Sequence, residues 1–276
     1  MQPQPDSTSF SSGVRWLTVV VLTGIVGGLS GLGLATLLHA IQHVAYGYSL
    51  DTIFKGESFL EGVSAASPAR RVAVLTACGC IAGLGWWVIY RFCRPLVSIA
   101  QAVNGPDPRM PLVATFSHAV LQIITVALGS PLGREVAPRE IAAAVTGVLS
   151  TRAGLSAEQT RVMVACGAGA GLAAVYNVPL AGAIYVLEGL LVTFGARALV
   201  PAIVTSVIAA LVARLGLGDL PQYAVPPYAT TPSLMIWAVL AGPLIGAVAF
   251  AFSKLTSSAR ADAPRDWRLA DRKSVV

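Results

Sequence analysis

Charge is what this sequence has least of. Only 12% of its 276 residues are Asp, Glu, Lys or Arg, where soluble domains carry about 25%. A soluble globule of this size needs far more charge to wet its surface, so a soluble enzyme and a disordered chain are both excluded. Cysteine is scarce too. Cys78, Cys80 and Cys166 lie inside apolar segments and Cys93 ends one. No pair has the C-x-x-C spacing of a zinc site, so a disulfide scaffold and a metal centre are not expected, and the thiols read as small buried hydrophobes. The polar, Pro/Ser-rich start, Met1 to Gly13, lacks the basic region of a cleaved signal peptide.

What is abundant is apolar surface: 55% of residues are hydrophobic and mean hydropathy is +0.71. That composition predicts a multi-span membrane protein with a lipid bilayer as its partner. One span takes about 20 apolar residues, so the length allows roughly seven to nine membrane segments. The net charge is +6, and half of it falls from Lys254 on, where six basic residues face three acidic ones. That placement speaks for membrane topology, with no nucleic-acid partner expected.

The first apolar stretch, Val14 to Tyr46, carries Gly27 and Gly31 as GxxxG, a spacing that lets helices approach closely in lipid. A polar link, Tyr48 to Arg71, precedes a second stretch, Val72 to Tyr90, where Gly79 and Gly83 repeat the spacing. Arg91 and Arg94 close it, which puts that end and the N-terminus on the cytoplasmic side. Pro95 to Val103 is too short to cross, since nine residues make about 14 Å of helix. Pro111 to Leu128 is uncharged. Gly129-Ser130-Pro131-Leu132-Gly133-Arg134-Glu135 then breaks the helix and brings in two charges at once. A helix from Glu135 to Leu149 measures about 22 Å, short of a hydrocarbon core of about 30 Å. It reads as a half-helix that begins within the membrane. After a polar turn, Thr151 to Gln159, come a Gly/Ala-rich segment, Val162 to Tyr176, and a helix opened by Pro179 that runs to about Phe194. Further apolar segments are Arg197 to Leu215 and Ser233 to Phe252, the last with Gly242 and Gly246 at GxxxG spacing. No heptad or strand periodicity stands out, so the fold class expected is all-α.

Broken helices at membrane depth leave N–H and C=O groups that must face a cavity or a ligand. A half-helix N-terminus there is an anion site in waiting. Gly133 allows close backbone approach, and the Glu135 carboxylate can occupy such a site in competition with an anion until a proton neutralises it. A second reading stands beside this one: Glu135 and Arg139 are spaced i,i+4 in the order that favours a helical salt bridge. Arg134 reads as a guanidinium tying down loop carbonyls. Gly28-Leu29-Ser30-Gly31 is similar to the serine motif of rhomboid intramembrane proteases. Its serine lies in the first span with no histidine upstream, so packing is the better reading and no enzyme is expected. His39 reads as a helix-end residue and His118 as a hydrogen-bonded histidine inside the membrane.

Gly133-Arg134-Glu135-Val136-Ala137-Pro138 resembles the Gly-Arg-Glu-Gly-Pro signature of the CLC chloride channels and chloride/proton antiporters. Gly167 to Glu188, GAGAGLAAVYNVPLAGAIYVLE, resembles a longer signature of that family, with Gly167, Gly169, Gly171, Asn177, Pro179, Gly182 and Glu188 as its markers. The resemblance implies a CLC-type fold of tilted spans and intramembrane half-helices, in which this chain supplies the first inverted repeat plus one further helix. It implies a voltage-gated homodimer passing chloride or a similar small anion as substrate, no cofactor, and a bacterial-type inner membrane. Glu135 becomes the external gating glutamate. Ser98, Gly133, Arg134, Glu135, Val136 and Ala137 become the anion-binding set.

The departures matter as much. The family's Gly-Ser-Gly-Ile-Pro segment has no clean match; Ser98 is the candidate at the right place, and a serine satisfied by its own helix backbone is the other reading. Val136 and Ala137 stand where the signature has Gly and Pro, and Pro138 takes over the N-terminal proline role. Gly189 stands where the antiporters carry an internal proton-transfer glutamate, while Glu188 reads as a solvated cytoplasmic-end charge. The family's later Gly-x-Phe-x-Pro loop and pore tyrosine have no counterpart before Val276. The organisation expected is a cytoplasmic segment over 1–13, a partial membrane domain over 14–253, and a basic cytoplasmic tail over 254–276, with a truncation end as one reading of it. Three functions stay open: a channel, a chloride/proton antiporter using another internal acid, and a non-conducting remnant or subunit that needs a second half.

Overall fold

The structure is a computed structural model that describes residues 7–47, 59–219 and 229–262, with the backbone alone at 7–12 and 260–262. It divides into two units, Met1–Gln222 and Tyr223–Val276. The described residues of the first unit are all helical or irregular. In order they form α1 (Ser7–Tyr46), α2 (Phe59–Ala65), α3 (Pro68–Phe92), α4 (Ile99–Asn104), α5 (Leu112–Ala127), α6 (Val136–Arg152), α7 (Ala157–Tyr176), α8 (Pro179–Ile184) and α9 (Ala196–Leu217). The second unit holds α10 (Pro232–Asp262). Among the described residues four helices are long and apolar enough to cross a membrane: Gly13–Tyr46, Pro68–Phe92, Ala196–Leu217 and Pro232–Ala259. The Gly13–Tyr46 stretch is roughly 51 Å long, well beyond a hydrocarbon core, so it crosses at a tilt. With 17 residues, α6 is about 26 Å long and falls short of the core.

The most buried helix is α7, in which Met163, Val164, Ala165, Cys166, Ala168 and Ala170 expose nothing. It starts with a reciprocal cap. Ser156 Oγ accepts from Gln159 N at 3.2 Å, and Gln159 Oε1 accepts from Ser156 N at 3.0 Å, which satisfies two orphan donors. Close approach is possible because its neighbours are small. A Cβ on Gly27 or Gly31 of α1 would stand 2.5 Å from the Cβ of Ala170 or Ala174 of α7. One turn face away, Gly24 and Gly28 do the same against Ile208 and Val212 of α9, at 2.6 and 2.5 Å. The α1 helix thus carries two interleaved GxxxG faces, one for each of two neighbours.

The same spacing in α3 behaves differently. Gly79 and Gly83 have nothing within 4 Å, and the close point is Gly85, whose Cβ would sit 2.6 Å from the Leu121 side chain of α5. The rest of α3 presents large apolar residues such as Leu84 and Trp87 outward, at 68% and 59% exposure, as a lipid-facing helix does. Within its own unit α10 has no second described helix, so Gly242 and Gly246 meet no helix there.

Two local features differ from the reading of the sequence. The polar link before α3 contains a short helix, α2; residues 48–58 of that link lie outside the described residues. The helix opened by Pro179 does not continue as an α-helix to Phe194. It turns into a π-helical segment at Tyr185–Leu190 and stops. Leu191 N bonds Val186 O at 2.9 Å and Thr193 N bonds Leu187 O at 3.0 Å, closing the end around Val192 at φ 50°. A β-branched residue in that left-handed region is strained.

Two consequences are measurable by thermal unfolding in detergent. Gly27→Val should cost about 1–3 kcal/mol, since α7 backbone stands behind Ala170, whereas Gly83→Ala should cost nothing and raise stability by up to about 1 kcal/mol. Equal losses at both sites would contradict the packing described. Val192→Gly should raise stability by about 1 kcal/mol; a loss there would mean that Val192 is unstrained.

Candidate functional site

The site begins where α5 ends. Leu128 closes that helix, and its carbonyl accepts from Tyr46 Oη at 2.9 Å. Gly129 follows at φ 101°, and a Cβ there would stand 2.7 Å from the same hydroxyl. Ser130 N then bonds Thr125 O at 3.0 Å. The chain passes through Pro131 and Leu132 to Gly133, whose carbonyl faces Gln122 Nε2 at 3.5 Å, the outer limit of a hydrogen bond.

Glu135 is the N-cap of α6, in αR conformation and without a side-chain cap hydrogen bond. Its carboxylate turns back over Gly133 instead, so closely that a Cβ on Gly133 would collide with both carboxylate oxygens. Glu135 Oε2 accepts from Tyr176 Oη at 3.1 Å. Tyr176 is the last residue of α7, and the Arg134 guanidinium lies over its ring at 5.6 Å. The i,i+4 salt bridge weighed from the sequence does not form: Arg139 lies over the Tyr185 ring at 5.1 Å while Glu135 takes the tyrosine hydroxyl. Val136 and Ala137 open α6, the second fully buried against α1 and α5 in a cluster with Leu34, Leu38 and Ala119. Pro138 sits in the first turn, where a missing N–H costs nothing. The start of α6 therefore has unpaired N–H donors that no side chain caps.

Ser98 is placed elsewhere, as the N-cap of α4. Its Oγ accepts from Gln101 N at 3.2 Å, and Gln101 Oε1 accepts from Ser98 N at 2.9 Å. Its neighbours Val97 and Ile99 belong to a different core cluster, shared with Tyr185 and Leu187. The glycines of the long signature pack helices. A Cβ on Gly167 would stand 2.8 Å from Ala142 O, on Gly171 2.5 Å from Pro138 O, and on Gly169 2.6 Å from Gly182 O. Gly182 returns the contact to Gly169 O at 2.5 Å. Asn177 ends α7 in the left-handed conformation, φ 56°. Its Nδ2 donates to Asp219 Oδ1 at 3.1 Å and its Oδ1 accepts from Arg214 Nε at 2.8 Å. Pro179 is the first residue of α8, and Glu188 is exposed in the π-helical turn.

Of the rest of the polar set, the sequence marked His118 as a hydrogen-bonded histidine, but neither its partner Glu140 nor Tyr176. Tyr176 was inside the matched signature but carried no signal of its own. His118 of α5 meets Glu140 of α6, Nδ1 to Oε2 at 2.8 Å, with 12% and 17% of the side chains exposed. Trp86 of α3 lies against the imidazole with ring centroids 4.6 Å apart.

The His118–Glu140 contact is testable by a double-mutant cycle. Each single change, His118→Gln or Glu140→Gln, should cost roughly 1–3 kcal/mol by leaving a buried partner unpaired. The double variant should cost less than the sum by more than about 0.5 kcal/mol. Additive losses would show that the contact contributes no stability.

With this geometry in hand, comparison with known proteins is informative. A family model for voltage gated chloride channels matches residues 78–272, more than two thirds of the chain. The voltage-gated ClC-type chloride channel ClcB of Escherichia coli (strain SMS-3-5 / SECEC) is 28% identical over 241 residues, covering 82% of this chain and 56% of its own length. ClcB of Escherichia coli O139:H28 (strain E24377A / ETEC) is 28% identical over 202 residues, covering 71% of this chain and 47% of its own length. The X-ray crystal structure of a slow cyanobacterial Cl−/H+ antiporter superposes with a TM-score of 0.69 at 18% identity, over 92% of this chain and 57% of that one. At that identity the likeness speaks for the fold. The chain spans about half the length of the curated relatives it matches. The chain belongs to the voltage-gated chloride channel family.

Proposed function

We propose that the chain carries the gated half of a CLC-type anion path, with Glu135 as the gating carboxylate and chloride as the permeating ion. One observation carries this reading: the Glu135 carboxylate lies over Gly133, beside the uncapped start of a helix too short to cross the membrane. A small anion fits the same donors, so carboxylate and anion exclude one another there. Gly133, Arg134, Val136 and Ala137 frame the place. Ser98 joins from the N-terminus of α4, its hydroxyl hydrogen free to donate while its oxygen caps the helix. The relatives support chloride, since their names give it. A homodimer in a bacterial inner membrane, with residues 1–13 and 254–276 in the cytoplasm, completes the reading.

A second reading, chloride/proton antiport, has one specific observation in its favour. Glu140, paired with His118, is a carboxylate within the helical core, and it is a candidate for the internal acid that Gly189 does not supply. Its resemblance to a Cl−/H+ antiporter in fold leaves room for this mode.

Chloride efflux from liposomes loaded with the 276-residue chain separates these readings. A channel gated by Glu135 should pass more chloride as pH falls, and Glu135→Gln should raise flux and flatten its pH dependence. Flux that ignores Glu135→Gln would overturn the gate assignment. A reversal potential that follows an imposed pH gradient, and loses that dependence in Glu140→Gln, would favour antiport over the channel.

A further inference from the structure

Arg139 is a cation in the middle of the polar set with no acid to meet it. Its Nε is buried and takes no hydrogen-bond partner. Among the described residues the ion pairs join Arg109 to Asp107, His118 to Glu140 and Arg214 to Asp219, and none involves Arg139. The nearby carboxylates are engaged otherwise: Glu135 with the Tyr176 hydroxyl, Glu140 with His118, while Glu188 is exposed. What the guanidinium does have is the face of Tyr185 at 5.1 Å. The residue as a whole is half-buried, and a cation–π contact alone contributes less than withdrawing part of such a charge from water costs in a membrane. Helix electrostatics make the position worse, because a cation in the first turn opposes the helix dipole. Nothing in the stability of α6 therefore explains an arginine here.

Its surroundings do suggest a purpose. Arg139 stands one helical turn after Glu135, and its backbone N is pressed against α7, 2.9 Å from where a Cβ of Gly171 would be. The Tyr185 ring beneath its guanidinium packs on the cluster that holds Val97 and Ile99, the neighbours of Ser98. The charge thus lies on a side chain that belongs to the same apolar cluster as the start of α4.

We propose that Arg139 is an anion ligand, a fixed cation on the wall of the path whose missing partner is the small monoanion in transit. The inference rests on the anion path proposed above and assigns it a residue. A guanidinium whose donors are not spent on a carboxylate offers them to a passing ion, and the Tyr185 face holds it in place without neutralising it.

Chloride binding is measured by calorimetry on the full chain in detergent, with gluconate replacing chloride at constant ionic strength. Arg139→Gln should weaken binding by about tenfold or more, and Arg139→Lys, which keeps the charge but loses the planar fork stacked on Tyr185, should weaken it less than the glutamine does. In gluconate alone Arg139→Gln should melt no lower than wild type, because it removes an unpaired charge; a structural arginine would give a lower melting temperature and unchanged chloride affinity. In the wild type, the ¹⁵Nε–H resonance of Arg139, assigned from the lysine variant, should shift with chloride and not with gluconate. That reading decides the case where the glutamine variant does not fold, and a resonance indifferent to chloride would overturn the proposal. Wild-type binding that Arg139→Gln leaves intact removes Arg139 as a ligand and spares the path. No chloride binding and no resonance shift in the wild type removes both.

Discussion

Carbonyl oxygens and a neighbouring turn of backbone occupy the space where side chains of α7 would otherwise stand, and the site depends on this. In lipid, helices gain nothing from burying apolar surface against one another, so association rests on close van der Waals contact and hydrogen bonding. Gly167 and Gly171 let α6 lie with Ala142 O and Pro138 O at the positions of their absent Cβ atoms, and Gly169 with Gly182 does this for α8. A methyl group at Gly171 would push away the first turn of α6, the turn that begins at Glu135. The meeting of Glu135 with Tyr176 follows from this contact, because one residue opens α6 and the other closes α7 only five positions beyond Gly171.

The same packing decides where a charge-poor chain keeps its few charges. Within six positions α6 carries Glu135, Arg139 and Glu140, an arrangement that no lipid-facing helix tolerates. The helix is shielded by α1 and α5 on one side, where Ala137 and Ile141 meet Leu34, Leu38 and Ala119, and by α7 on the other. Outer surfaces fall to α3 and α9, whose exposed residues include Leu84, Trp87, Val200 and Leu211. A charged α6 inside and the apolar faces of α3 and α9 outside are two sides of one constraint.

Much of this was legible in the sequence, and the limits have physical reasons. The break from Gly129 to Glu135 announced itself, because glycine, proline and charge coincide only where a helix ends. Pro179 marked a helix start, and Gly27 with Gly31 marked a close face. The pairing of faces was not legible. Gly79 and Gly83 have the same spacing as Gly27 and Gly31, yet they face open space, since periodicity says which residues share a side and not what covers it. Tyr176 with Glu135 and His118 with Glu140 join residues 41 and 22 apart, distances over which only the packed helices choose the partner. The spacing of Glu135 and Arg139 permitted an ion pair, but the arginine turned to Tyr185, a residue that local sequence could not bring near. The π-helical turn after α8 left no composition signal either, because Tyr185 to Leu190 is a sound α-helical sequence until Val192 must close it.

The gate reading also demands that Glu135 be loosely held, and the contrast with Glu140 bears on this. Glu140 has a histidine at 2.8 Å and aromatic cover from Trp86 against that histidine. Glu135 has one hydrogen bond, from a neutral tyrosine at 3.1 Å, and no ion pair. A hydrogen bond to a charged group contributes about 1.5–3 kcal/mol, which corresponds to roughly a ten- to hundredfold preference for the docked position. That is enough to keep the carboxylate over Gly133 most of the time, and little enough for a proton or a competing anion to dislodge it. Gly133 is part of the same balance, since any side chain there would fill the space the carboxylate occupies and leave it permanently undocked. A carboxylate clamped by Arg139, as the spacing alone allowed, would have been fixed too firmly to move; with that arginine turned toward Tyr185, Glu135 keeps only the tyrosine hydroxyl.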